Sequence, residues 1–188
     1  MKTTHFLAST VKAAFALAAV FTLSFAIASC SKDDDNEPKV PANTIVLDGV
    51  TMPVTDAGID EVELNKGNYE IILFVSEKKG IKIMAGKEYH NGKTINLTKK
   101  EPEHDGWYWS VECYNPEKIF DTYGEPGSSY PVFMSGTLYV KHLGSEGGKP
   151  VFEIVLKDGK VKGEGEYGDG KEHTVSIDWK GSLRFDDY

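Results

Sequence analysis

The chain reads as an all-β domain, and three observations predict it. The first is His173 to Phe185, HTVSIDWKGSLRF. There Val175, Ile177, Trp179, Gly181, Leu183 and Phe185 alternate with Thr174, Ser176, Asp178, Lys180, Ser182 and Arg184, the period of a strand with one face in a core and one in water. The second is the recurrence of short apolar or alternating runs between Gly, Pro, Asn and Asp clusters. The third is the scarcity of helical periodicity. At roughly 3.4 Å per residue the first run spans on the order of 40 Å, longer than most strands. It predicts a long antiparallel strand bent at Gly181, in a barrel or a strongly coiled sandwich.

The elements follow in order. Thr44-Ile45-Val46-Leu47 and Val50-Thr51-Met52 flank Asp48-Gly49, a tight-turn pair, and predict a first hairpin. Ile59 to Leu64 is a weaker strand, and Tyr69 to Val75, the most continuously apolar stretch after the leader, is a central one. Lys78-Lys79-Gly80 turns into the alternating strand Ile81 to Met84. Ile95-Asn96-Leu97 is a brief strand before the polar, breaker-bounded loop Lys99 to Gly106. Trp107 to Tyr114 is extended, with Trp107, Trp109, Val111 and Cys113 on one face and Tyr108, Ser110, Glu112 and Tyr114 on the other. Asn115-Pro116-Glu117 has a helix start's capping side chain, first-turn proline and early acid, and predicts one or two helical turns to Phe120.

Four successive antiparallel strands are expected over 132–186. Val132 to Leu143 presents Met134, Gly136, Leu138 and Val140 on one side. Val151 to Leu156 follows, Asp158-Gly159 signals a two-residue hairpin, and Val161 to Tyr167 returns into the opening strand. Gly163 and Gly165 on the inward face allow sharp coiling. Eight to ten antiparallel strands fit a small lipocalin-like barrel or a two-layer β-sandwich; the long last strand and the inward glycines favour the barrel.

Not all of the 188 residues belong to that domain. Lys2, His5 and Lys12 precede the apolar run Ala13 to Ala28, which ends at Cys30 in Ile27-Ala28-Ser29-Cys30, the layout of a secretory signal with a small-residue cleavage site. An uncleaved signal anchor is the alternative. The division is a signal peptide at 1–29, a lipidated Cys30 with an acidic tether at 30–42, and one β domain at 43–188. The tether, Ser31-Lys32-Asp33-Asp34-Asp35-Asn36-Glu37 followed by Pro38 and Pro41, is too polar to pack. Loss of Lys2 and Lys12 with the leader leaves 19 basic side chains against 29 acidic ones. An acidic surface without a basic patch argues against nucleic-acid partners. Acylation of Cys30 leaves Cys113 as the one thiol, so no internal disulfide forms, and Cys113 reads as a small buried hydrophobe.

The string around Cys30 resembles the lipobox of bacterial lipoproteins, whose Cys becomes the acylated first residue. The acidic run behind it is similar to the export signal of surface-exposed Bacteroidetes lipoproteins. Together these imply an outer-membrane protein, anchored by lipid and facing the exterior, with an inner-leaflet periplasmic location as the alternative. Ser135 to Val140 and Trp179 to Leu183 resemble the terminal strands of calycin-like lipoprotein domains, which implies the fold and no binding residues.

No metal, cofactor or catalytic set is expected. His90, His104, His142 and His173 lack zinc-site spacing, and Asp56, Asp60, Glu61, Glu63 and Asp186-Asp187 follow no calcium-loop pattern. A glycosidase needs paired carboxylates across a groove, for which Glu112, Glu164 and Asp178 are the candidates; no nucleophile elbow or phosphate loop accompanies them. The aromatic residues are the candidate ligand-binding set: Trp107, Tyr108, Trp109, Tyr123 and Tyr130 lie at loop and strand junctions, where rings stack on a sugar or cover an apolar ligand. Strand parity makes Trp107 and Trp109 core residues and turns Tyr108 outward. The expected function is a surface-tethered binding module for a glycan or small apolar ligand. The alternative is a non-catalytic structural or accessory lipoprotein that acts through an outer-membrane protein partner.

Overall fold

Asp48 and Gly49 adopt φ of 51° and 77°, the backbone of a two-residue turn whose twist matches paired strands. They join β1 (Thr44–Leu47) to β2 (Val50–Pro53). The computed structural model describes residues 40–186. The expected signal peptide at 1–29, Cys30 and the acidic part of the expected tether lie outside the described residues, as does Asp187.

β3 (Asp56–Asp60) is followed not by more strand but by a helical turn, α1 (Glu61–Asn65). Asp60 explains the switch: its Oδ1 accepts from Glu63 N–H at 2.8 Å, the bond of a helix cap. β4 (Asn68–Ser76) and β5 (Lys79–Gly86) form the expected apolar hairpin. α2 (Lys87–His90), β6 (Lys93–Asn96), β7 (Ser110–Tyr114) and β8 (Lys118–Tyr123) come next. The helix expected from Asn115-Pro116-Glu117 does not form. Asn115 N–H instead donates to Glu117 O at 2.8 Å, a tight turn that sends β8 back along β7.

The C-terminal part holds β9 (Ser135–Glu146), β10 (Lys149–Lys162), β11 (Glu172–Ser182) and β12 (Arg184–Asp186). Asp158-Gly159 is not a hairpin. Asp158 takes φ of 53°, the register slips between Leu156 and Gly159, and β10 runs through as one strand of 14 residues with a bulge. Gly163 and Gly165 accordingly lie beyond its end, not on a coiled wall. A Cβ on Gly163 would sit 2.3 Å from Ile119 O, so this glycine lets the segment after β10 close against β8.

The strands make two six-stranded sheets, ordered β2-β1-β11-β10-β9-β6 and β12-β3-β4-β5-β7-β8. Neither order closes on itself, so the expected barrel is corrected to an open two-layer sandwich. The long C-terminal run shows the physical reason. It does not bend at Gly181, which stays paired with Phe152; it leaves the first sheet at Leu183 and enters the second as β12, parallel to β3. The alternation flips there, Phe185 being exposed and Asp186 buried. The Arg184 guanidinium holds the corner, pairing with Asp56 at 2.7 Å and with Asp186. One buried cluster draws Ile45, Leu138, Ile154 and Ile177 from the first sheet and Ile59, Ile71, Ile83 and Val111 from the second. Among the described residues no helix is long and apolar enough to cross a membrane.

Candidate functional site

α2 ends on His90, which is 2 % exposed. Gly86 N–H donates to His90 Nδ1 at 2.7 Å, which assigns the imidazole proton to Nε2. That N–H reaches Glu101 Oε1 at 2.7 Å. Glu101 sits in the loop 99–106, and its backbone is fixed by Glu101 N–H to Gly124 O at 2.7 Å. Lys100 holds the same loop: its Nζ donates to Tyr123 O and Tyr130 O, both at 2.8 Å, and burial lowers its pKa. Burial also presses the Glu101 carboxyl upward, but His90, Trp109 N–H and His104 together outweigh it and hold it below the usual carboxylate value.

His104 completes the cluster. Its Nδ1 is 3.0 Å from Asp105 O and its Nε2 3.4 Å from Glu101 Oε2. The ring lies between Tyr89, stacked at 3.9 Å, and Tyr108 at 4.2 Å. Ligand atoms of His90, Glu101 and His104 all lie within 4.8 Å of one another, a spacing that fits a metal ion. The hydrogen bonds do not fit one. A ligating imidazole donates its second N–H to an acceptor, whereas the second nitrogen of His90 faces a donor. The arrangement is a hydrogen-bonded strut that pins the loop 99–106 to α2.

The aromatic candidates separate. Trp109 is inaccessible, and Tyr108 is 7 % exposed, which corrects the outward placement that parity assigned it. The cause is that β7 begins only at Ser110, so alternation does not extend to residues 107–109. Tyr108 Oη donates to His104 O at 2.8 Å and ties the loop from beneath. Trp107 is half-buried. Tyr108, Tyr123 and Tyr130 do come together, edge to face at 6.2 and 5.9 Å, and Tyr167 extends the series at 4.2 Å from Tyr130. These rings pack on each other.

Comparison of the chain with protein-family models, curated proteins and solved structures finds no match. Its chemistry therefore rests on its own geometry.

One buried apolar cluster fills the space between the sheets, and the apolar pocket beside Ile45, Met52 and Cys113 has a volume of about 10 Å³, room for a single water. This corrects the expectation of a glycan or small apolar ligand site, because the interior that would receive the ligand is filled. Burial pushes the Cys113 thiol up to about 12, so it is a core residue without nucleophilic character. The carboxylate candidates do not converge on one groove. Glu112 on β7 pairs with Lys118 at 3.7 Å, Glu164 pairs with Lys162 at 3.1 Å, and Asp178 is on β11 in the other sheet.

A wider groove of about 290 Å³ runs beside the strut, lined by Tyr89, His90, Lys93, Thr94, Asn96 and Lys99 among others. A second histidine cluster closes the opposite part of the first sheet. His173 on β11 places Nδ1 2.8 Å from Asp48 Oδ2 and Nε2 3.0 Å from Asp169 Oδ1. Sequence reading missed both clusters. Each holds one near pair, Glu101 with His104 and Asp169 with His173, but His90 lies 14 residues from His104 and Asp48 lies 125 from His173, so the contacts that complete the clusters are not local.

Proposed function

We propose that this protein is a non-catalytic structural or accessory lipoprotein, anchored through an acylated Cys30 at the outer membrane and facing the exterior, that acts through a protein partner. The observation that carries the reading is the filled sandwich. Inward side chains of both sheets, Phe120, Phe152 and Tyr69 among them, are inaccessible to solvent, so recognition falls to the outer surface and strand edges. The lipobox-like Ile27-Ala28-Ser29-Cys30 and the acidic run Asp33 to Glu37 support the anchoring and the location. The test is crosslinking in the protein's own membrane. A discrete crosslinked partner, recovered reproducibly and lost when Cys30→Ala releases the protein from the membrane fraction, is the expected result. Recovery of no partner from intact cells overturns the reading.

A further inference from the structure

We propose that the outer edge of β6, with the groove beside it, docks an acidic extended segment of a protein partner, which adds to the first sheet as a strand alongside Thr94 and Asn96. The inference rests on the partner-acting reading above and supplies its surface.

The register fixes which backbone groups are on offer. Leu97 N–H donates to Gly136 O at 3.2 Å, and Ile95 pairs with Leu138 and Lys93 with Val140. Because successive residues of a strand point their N–H and C=O groups to opposite sides, Lys93, Ile95 and Leu97 face β9, and the backbone of Thr94 and Asn96 faces away. Ile95 is 6 % exposed and anchors the strand, while Lys93, Thr94 and Asn96 are exposed. Unpaired N–H and C=O groups along an edge are a template for another chain.

The other edges offer less of this template. β2 ends in Pro53, which has no N–H to give. β8 is covered by the segment before β11, through the Phe120–Gly168 bridge and Asp169 N–H to Ile119 O at 3.1 Å. β12 spans three residues, and its Arg184 is engaged by Asp56 and Asp186. β6 opens onto a groove of about 290 Å³, and the groove walls, Tyr89 and the loop 99–102, are held by the strut and by Lys100.

Charge selects the occupant. The chain beyond the leader is strongly acidic, yet the rim of this groove carries Lys93 and Lys99, both exposed. Lys93 Nζ uses one of its three donors on Glu88 O at 3.1 Å. Lys141 lies against Gly92 at the head of the strand, its Cγ and Cδ 3.8 Å from the position of a Cβ there. The groove's own carboxylate, Glu101, is spent on His90, His104 and Trp109 N–H. A β-prone segment with acidic side chains on one face satisfies both the backbone template and the lysine rim.

The experiment uses residues 31–188, which retain the whole unit Pro38–Tyr188 and its core. Binding of a fluorescein-labelled peptide of alternating glutamate and valine is followed by anisotropy, with a lysine-for-glutamate peptide as control. Saturable binding of the acidic peptide alone is expected, weakened about tenfold or more when salt rises from 0.05 to 0.5 M. Thr94→Pro removes an outward N–H that takes no part in the β9 ladder, and Lys93→Glu with Lys99→Glu reverses two exposed charges; each is expected to weaken binding by about tenfold or more. Slowed hydrogen exchange at the Thr94 and Asn96 amides on binding is the second readout. Unchanged affinity in Thr94→Pro, or no binding to the parent chain, overturns the inference. So does tighter binding after removal of residues 31–37, which would make the chain's own acidic run the occupant. If the peptide fails while crosslinking still recovers a partner, the docking surface is wrong and the partner reading stands.

Discussion

A ring nitrogen that faces a backbone N–H behaves unlike one that faces a carboxylate, and His90 and His173 show the difference. His90 accepts from Gly86, is fixed as the Nε2–H tautomer, and is wired against metal ligation. Zinc at millimolar concentration is expected to leave the melting temperature of the protein unchanged, and a saturable rise that His104→Ala abolishes would contradict the strut. His173 has carboxylates at both nitrogens and must donate from both, which requires the imidazolium. Burial opposes its charge, but Asp169 and Asp48 outweigh burial and raise its pKa above the ordinary value. The hydrogen bond from His173 in turn holds Asp169 down to about 2. The raised His173 contributes stability that is complete below its unfolded pKa of about 6.5 and is lost as pH climbs through the higher folded value. The depressed Asp169 contributes above about 4 and loses its share as pH falls through about 2. Thermal unfolding across pH should therefore show maximal stability between these limits. His173→Asn should cost on the order of 2 kcal/mol there and flatten the alkaline limb.

At the scale of elements, the bulge in β10 is the feature on which the first sheet's register turns. A Cβ on Gly159 would lie 2.6 Å from Val175 O and 2.6 Å from Leu156 Cδ2, and backbone cannot yield as a side-chain tip can. Gly159→Ala is expected to destabilise by about 2–3 kcal/mol in chemical denaturation, while Lys160→Ala on the exposed face stays within about 0.5 kcal/mol. The same bulge marks the limit of what could be read from sequence. The continuous apolar run of β4 was legible, and so was the period-two alternation of β5 and of the His173 to Trp179 part of β11. It failed where local chemistry has two outcomes: Asp-Gly serves a hairpin at 48–49 and a bulge at 158–159, and only the long-range partners, Thr174 and Val175, decide between them. Asp60 was similarly ambiguous, since a strand residue and a helix cap look alike until Glu63 N–H is in place.

For the molecule as a whole, a filled sandwich and a barrel differ by whether the outermost strands meet, which depends on pairings that no window of sequence contains. The alternating runs supplied the all-β class, and the C-terminal crossing at Leu183 decided its architecture. The candidate site was less legible still, because rings chosen for their place beside loops turned out to pack on one another. The filled interior makes a prediction of its own. A hydrophobic dye such as ANS should show no saturable binding to the native protein and should bind only when acid or denaturant loosens the core. Phe152→Ala, which empties space at the centre of the first sheet, should cost about 3–5 kcal/mol.

The pairing of β1 with β11 reaches further than architecture. Thr44 meets Asp178, Asp48 bonds His173, Asn43 accepts from Lys180, and Asp56 holds Arg184. The opening strand thus has no partner except its own hairpin until residues 172–186 exist, and closing so long a loop is slow. On the proposed lipoprotein reading, in which the chain crosses a membrane unfolded, that delay would be an asset: β1 cannot lock the sandwich before the C-terminal strands have followed it.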